Sequence, residues 1–230
     1  MPRPDADAVL DAEMVRKSLS RYFAVIQNSK PAKFAIAKKL PATFNEEDSL
    51  EALWKEHENF AEEFGKAELE IDDEQNPQAP EKSYLDLKSA IANRILQHCH
   101  LCNRKCGANR TKAKTGYCKC GNTIAISSIF AHMCEEPELV PSGTIFTMRC
   151  LHCQNWTIPQ WMENSVEFMP RRLAAEVKQL RFGGCRNVNL VGGEPTPWLG
   201  HWLETFKHVN ANVPVVWAQI HTIAQKPRSS

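Results

Sequence analysis

A chain of 230 residues, 43% of them hydrophobic, is long enough to bury one core and carry a smaller appendage. Its 28 Lys and Arg nearly cancel 27 Asp and Glu, so the overall charge gives no steering toward nucleic acid, membranes or acidic substrates. The opening residues Met1 to Asp7 lack the apolar run of a secretory signal or membrane span, so a cytoplasmic protein without a membrane partner is expected. In a reducing compartment, nine cysteines point to metal ligands rather than disulfides.

From Met14 to about Phe64 the pattern is helical. Leu50, Leu53, Trp54, His57, Phe60 and Phe64 recur at spacings of three and four and line one face. His57 on that stripe reads as a satisfied core histidine with no further role. Residues 72–81 are acidic, carry prolines and lack large apolar side chains, which marks a solvated linker. Leu85, Leu87, Ile91, Ile95 and Leu96 predict one more helix, ending at His98 and completing a helical N-terminal region over 1–95.

A cysteine-rich segment follows over 96–142. Cys99, Cys102 and Cys106 precede Cys118 and Cys120, with Gly107 and Gly116 supplying turns between them. Four thiolates from this set can close a tetrahedral zinc site or hold an auxiliary iron-sulfur cluster. Arg104, Lys105, Arg110, Lys112, Lys114 and Lys119 surround them and predict a local basic surface, but Tyr117 alone is thin for base stacking, which argues against a nucleic-acid partner. The isolated Cys134 and Cys185 are expected to be small buried side chains.

Over 143–230 the pattern becomes strand, helix, strand, helix, strand: 143–147, then 173–182, 188–191, 198–209 and 213–217. Repeated β-α units imply an α/β fold with parallel strands, in which functional residues gather at the carboxyl ends of the strands. Two motifs fall there. Cys150-Leu151-His152-Cys153 follows the first strand, and its two-residue gap lets both thiolates reach one soft metal or one cluster, although a zinc half-site or a redox pair would read the same. Gly192-Gly193-Glu194-Pro195 ends the second strand and offers bare backbone and a carboxylate to something cationic; the plain alternative is a tight turn whose Glu194 caps the helix near Trp198.

Ser142 to Phe146, Arg149-Cys150-Leu151-His152-Cys153-Gln154-Asn155-Trp156 and Asn189 to Thr196 occur in that order, preceded by Glu135 to Leu139 and the cysteine segment from Cys99 to Cys118. Together they resemble the radical SAM proteins of the pyruvate formate-lyase activating enzyme-like family, over about His98 to Trp217. The resemblance implies a radical SAM barrel and a four-iron four-sulfur cluster held by a three-cysteine loop. Cys150 and Cys153 would be its second and third ligands. His152 would lie near the adenine of S-adenosylmethionine, and Gly192, Gly193 and Glu194 would take the methionine ammonium. Cys99, Cys102, Cys106 and Cys118 would form the separate metal segment, with Cys120 a spare because Cys118 is the cysteine that follows the Gly116-Tyr117 pair. The implied reaction is reductive cleavage of S-adenosylmethionine to methionine and a 5′-deoxyadenosyl radical, fed by a one-electron donor and directed at a protein that carries a glycyl radical.

Two departures qualify this expectation. The first cluster cysteine is absent, since the position four before Cys150 is Phe146, and the chain ends soon after the third barrel strand where about six β-α units are usual. The expected object is therefore a partial barrel of about three units with impaired or absent catalysis. The rival is a non-enzymatic zinc-binding module with a local basic surface.

Overall fold

A computed structural model describes residues 3–73, 80–147, 165–191 and 193–218. Its centre is an open five-stranded sheet: β1 (Ile124–His132), β2 (Ser142–Thr147), β3 (Val166–Phe168), β4 (Asn187–Val191) and β5 (Val215–Trp217), in the order β3-β1-β2-β4-β5. β2, β4 and β5 run parallel. β1 is antiparallel to both of its neighbours, so the sheet is mixed rather than parallel throughout. That strand lies inside the cysteine-rich segment and was not foreseen. Ile124 to Ile126 are buried on both faces and the remainder is Ser- and Ala-rich, so no clean alternation announces it.

Two helices flank β4 in sequence: α7 (Pro170–Phe182), opened by a proline that needs no amide partner there, and α8 (Leu199–His208), preceded by a short 3-10 turn at Thr196–Trp198. One sheet face, through Ile145, Val188 and Leu190, packs with Leu173 and Val177 of α7 and Trp202 and Phe206 of α8 into the main apolar core. The other face is polar yet buried, carrying Ser142, Thr144, Asn187 and Asn189. Buried polar groups need partners. Ser142 Oγ donates to Asn187 Oδ1 at 2.8 Å, and Asn187 Nδ2 donates to Tyr22 Oη at 3.0 Å and to the Leu139 carbonyl at 2.7 Å.

The N-terminal region is helical, but the single run expected from Met14 is divided. It contains α1 (Pro4–Ala8), α2 (Glu13–Ser18), α3 (Ser20–Ile26), α4 (Lys33–Ala37) and α5 (Leu50–Asp73). Asn28, at φ +58°, and Pro31 break the first part, and Pro41 lies in the second break. Asn212, between α8 and β5, ties the first break to the sheet: its Nδ2 donates to the Val25 and Lys30 carbonyls, and its Oδ1 accepts from Ala32 N–H at 2.8 Å. α6 (Tyr84–Gln97) begins with a reciprocal cap between Ser83 and Asp86. α5 reaches Asp73, so the first two residues of the expected linker are helical, and residues 74–79 lie outside the described set. Among the described residues no helix is long and apolar enough to cross a membrane.

His57 of α5 packs against α6, with Nε2 3.2 Å from Tyr84 Oη and 3.0 Å from Lys88 Nζ. Burial first, then the charge of Lys88, holds its pKa down at about 4 against an ordinary 6.5. Between those values the unfolded chain binds the proton and the folded chain does not, so stability should fall as pH drops from about 6.5 toward 4. His57→Gln should flatten that limb in urea titrations at stepped pH. An unchanged acid limb in the variant would acquit His57.

Candidate metal centre and strand-end site

The register of β2 and β4 pairs Phe146 with Val191, so these two strands finish side by side at their carboxyl ends. Cys150, His152, Cys153 and Gly192 lie outside the described residues. The turn beyond β4 is described from Gly193, which sits at φ +105°, a conformation that glycine alone adopts without strain. Glu194 is 1% exposed, and its Oε1 accepts hydrogen bonds from the Thr196 N–H, at 3.1 Å, and from the Thr196 hydroxyl. The carboxylate thus holds the start of the 3-10 turn that leads into α8, but it does not cap α8 itself, whose first turn carries no side-chain cap.

Phe146, at the position where the resemblance places a cysteine, is buried and stacks on Phe130 with ring centroids 5.4 Å apart. It is a packing residue with no donor atom. Glu135 stands over the polar sheet face, receiving Asn189 Nδ2 at 3.3 Å and lying 3.4 Å from His132 Nδ1. Cys134 beside it is exposed rather than buried, because it lies in the turn that leaves β1, whereas Cys185 is buried as expected.

The upstream cysteines form a compact knuckle. Cys99 N–H donates to the Ala108 carbonyl and Gly107 N–H returns to the Cys99 carbonyl, which folds the first loop back on itself. Cys102 opens a turn closed by Lys105 N–H on its carbonyl. Cys106 Sγ sits 3.9 Å from the Cys99 carbonyl and against Gly116 of the second loop, where a Cβ would fall 2.3 Å from the sulfur. Only glycine leaves room for that thiol. Cys118 and the buried Cys120 follow, with Cys120 Sγ 3.5 Å from the Cys118 carbonyl. The Cys118 pKa is held down at about 6, first by a hydrogen bond from the Cys120 side chain and also, against burial, by the charge of Arg110. Burial pushes the Cys99 thiol up, opposed by the Leu101 amide and by Arg110.

Among the described residues no three His, Cys, Asp or Glu side chains stand close enough to hold a metal ion as they are placed. The five thiols come from two loops joined by a turn that carries a buried cation. That cation is Arg110, which pattern reading had placed on a basic surface. It is 1% exposed, while Arg104, Lys105, Lys112, Lys114 and Lys119 are exposed. A cavity of about 620 Å³ opens elsewhere, between α6 and α8, lined by Phe44, Asp86, Arg94, Glu204 and Lys207 among others; none of the candidate residues borders it.

The chain resembles an archaeal protein. It is 35% identical over 209 residues to a protein of Methanocaldococcus jannaschii named only as uncharacterized, with 86% of this chain and 60% of that one aligned. The chain thus spans about three fifths of that relative's length. No family model and no solved structure matches it.

Proposed function

We propose that this chain is an iron-sulfur protein of the radical SAM type, related to the pyruvate formate-lyase activating enzyme-like proteins, with a partial barrel and a separate metal-binding knuckle. The observation that carries the reading is the adjacency of the β2 and β4 carboxyl ends, set by the Phe146 to Val191 register. The segment holding Cys150 and Cys153 and the turn holding Gly193 and Glu194 therefore leave the sheet from neighbouring strands, where parallel α/β folds keep their chemistry.

In this reading Cys150 and Cys153 ligate a four-iron four-sulfur cluster, and His152, Gly192, Gly193 and Glu194 bind S-adenosylmethionine. The bound cluster supplies one electron to the sulfonium. Gly193, lacking a side chain, lets backbone approach the methionine end, while Glu194 fixes the turn. Phe146 contributes packing where a third thiolate is needed, so catalysis by this chain is impaired. Its partners would be a one-electron donor and a protein that carries a glycyl radical, in the cytoplasm. Cys99, Cys102, Cys106 and Cys118 would bind zinc or an auxiliary cluster independently. The rival reading, a zinc module without catalysis, draws on the five exposed cations around the knuckle.

Anaerobic reconstitution with iron and sulfide, followed by elemental analysis and quantification of 5′-deoxyadenosine with a strong reductant, tests the proposal. Metal should survive in a Cys150→Ser, Cys153→Ser variant, 5′-deoxyadenosine should be negligible from the unmodified chain, and a Gly-Cys-containing insertion between Thr147 and Met148 should raise cluster occupancy, with turnover still dependent on the rest of a barrel. Robust product from the unmodified chain would refute the ligand assignment. A colourless protein with stoichiometric zinc, before and after the insertion, would favour the module.

A further inference from the structure

We infer that the cavity between α6 and α8 is a binding site for a short neutral oligosaccharide, with Ser89, Asn93 and Gln97 as its hydrogen-bonding row. The inference stands apart from the strand-end reading, because the cavity borders none of the residues which that reading uses. At about 620 Å³ the cavity falls within the roughly 300–1,000 Å³ of small-ligand sites. Three of its lining residues are spaced four apart on α6, so they follow one another along one side of the helix at a rise of about 6 Å.

Ser89 is the observation that points to a ligand. It is 4% exposed, and its hydroxyl is buried without a hydrogen-bond partner. A serine within a helix can return its hydroxyl to the carbonyl one turn back, and this one does not. Buried polar groups are ordinarily paired, so a hydroxyl left in this state at a cavity wall costs stability that a ligand group would return. Rotation about a single bond turns it toward a group seated in the cavity. Asn93 and Gln97 continue the row as exposed carboxamides, with no hydrogen bond to another described residue.

The charged groups around the row are committed to partners within the protein. Lys207 Nζ lies 2.8 Å from Asp86 Oδ1 and 3.0 Å from Glu204 Oε2. Arg94 Nη2 donates to the Glu46 carbonyl at 2.6 Å and lies 3.9 Å from the Glu47 carboxylate. Lys82 Nζ donates to the Phe44 carbonyl at 2.9 Å. Every lining cation is thus already engaged, and carboxylates outnumber cations in the lining by five to three, which disfavours a phosphate or a carboxylate ligand. The carboxylates that no cation pairs among the described residues, Glu46 and Glu81, are exposed to water and give an amine little hold. What remains to receive a ligand is neutral. One hydroxyl and two carboxamides can each donate and accept, as the neighbouring hydroxyls of a sugar do. Phe44 and Ala90 supply apolar wall for the C–H face of a pyranose ring, whereas a wholly apolar ligand would leave the row unpaired.

The test uses the full reduced chain with maltose, cellobiose, trehalose and sucrose as probes, and spermidine and inorganic phosphate as comparators. Saturation-transfer NMR reports contact, and titration gives the affinity. At least one disaccharide should receive saturation from wild type. Ser89→Ala should be at least as stable as wild type, because it removes an unpartnered hydroxyl, yet it should bind that disaccharide about 2- to 10-fold more weakly. Asn93→Ala, at an exposed position, should weaken binding by a similar factor. Ala90→Leu should fill the cavity and abolish the transfer, with circular dichroism showing its helices retained; the other two variants decide the matter should Ala90→Leu lose its fold. Transfer to none of the four disaccharides would overturn the inference. So would undiminished binding in both Ser89→Ala and Asn93→Ala, or a cavity that takes spermidine or phosphate in place of the sugars.

Discussion

Glu194→Ala should lower stability to urea by about 2–4 kcal/mol, since buried donors that lose their acceptor cost roughly 1–3 kcal/mol each. Both groups that rely on its Oε1, the N–H and the hydroxyl of Thr196, belong to a fully buried residue. Glu194→Gln keeps an oxygen in place and should cost less. A double-mutant cycle with Thr196→Val isolates the pair, because two neighbours sharing these bonds should lose far less together than the sum of their separate losses. Additive losses would mean that Glu194 is held by something other than this turn. The functional arm is separate: if the turn receives the methionine end of S-adenosylmethionine, calorimetric titration of a loop-repaired protein should show weaker binding for Glu194→Gln than its small loss of stability explains.

The second large effect is expected at Trp202. Its side chain is fully buried in the core between α8 and the sheet and lies against Phe206, which in turn stacks on Phe34 with centroids 5.1 Å apart. Trp202→Ala should cost about 3–5 kcal/mol, a large share of the roughly 5–15 kcal/mol that stabilises a domain. At this chain length, that corresponds to a fall in Tm of about 6–20 °C. Among the described residues the indole Nε1 is buried without a hydrogen-bond partner, so Trp202→Phe removes that donor along with some volume and should be far milder. Thermal melts followed by circular dichroism separate the two. Similar melting for alanine and wild type would show that α8 is not docked as described.

The parts of the fold that were legible in the sequence are those whose hydrophobic period is regular. β2, β4 and β5 are short β-favouring runs, β4 ended by Gly192-Gly193, and α7 and α8 alternate with them at helical spacing. β1 was hidden because Ser127, Ser128, Ala125 and Ala131 dilute its period, and β3 because three residues are too few to show one. Within the site, spacing marked the cysteines and the glycines but could not place Arg110, since nothing local distinguishes it from the five exposed cations around it. Burial of an arginine is decided by what lies across from it, here Cys99, Gly121 and Trp198. The same holds for the polar sheet face, whose partners Tyr22 and Leu139 are remote in sequence from Asn187.

The clasp formed by Asn212 bears on the order in which the chain matures during synthesis. Ala32 and Asn212 are 180 residues apart, and Val25 and Lys30 wait for the same side chain. At about 5–20 residues per second, a ribosome leaves the first helices without that partner for roughly ten to forty seconds. Over that interval Phe23 and Val25, buried in the finished fold, have only the sequence-local part of their packing available. The segment around Val25 to Ala32 is thus secured late, and a nascent chain halted before Asn212 presents that segment open to chaperones and proteases.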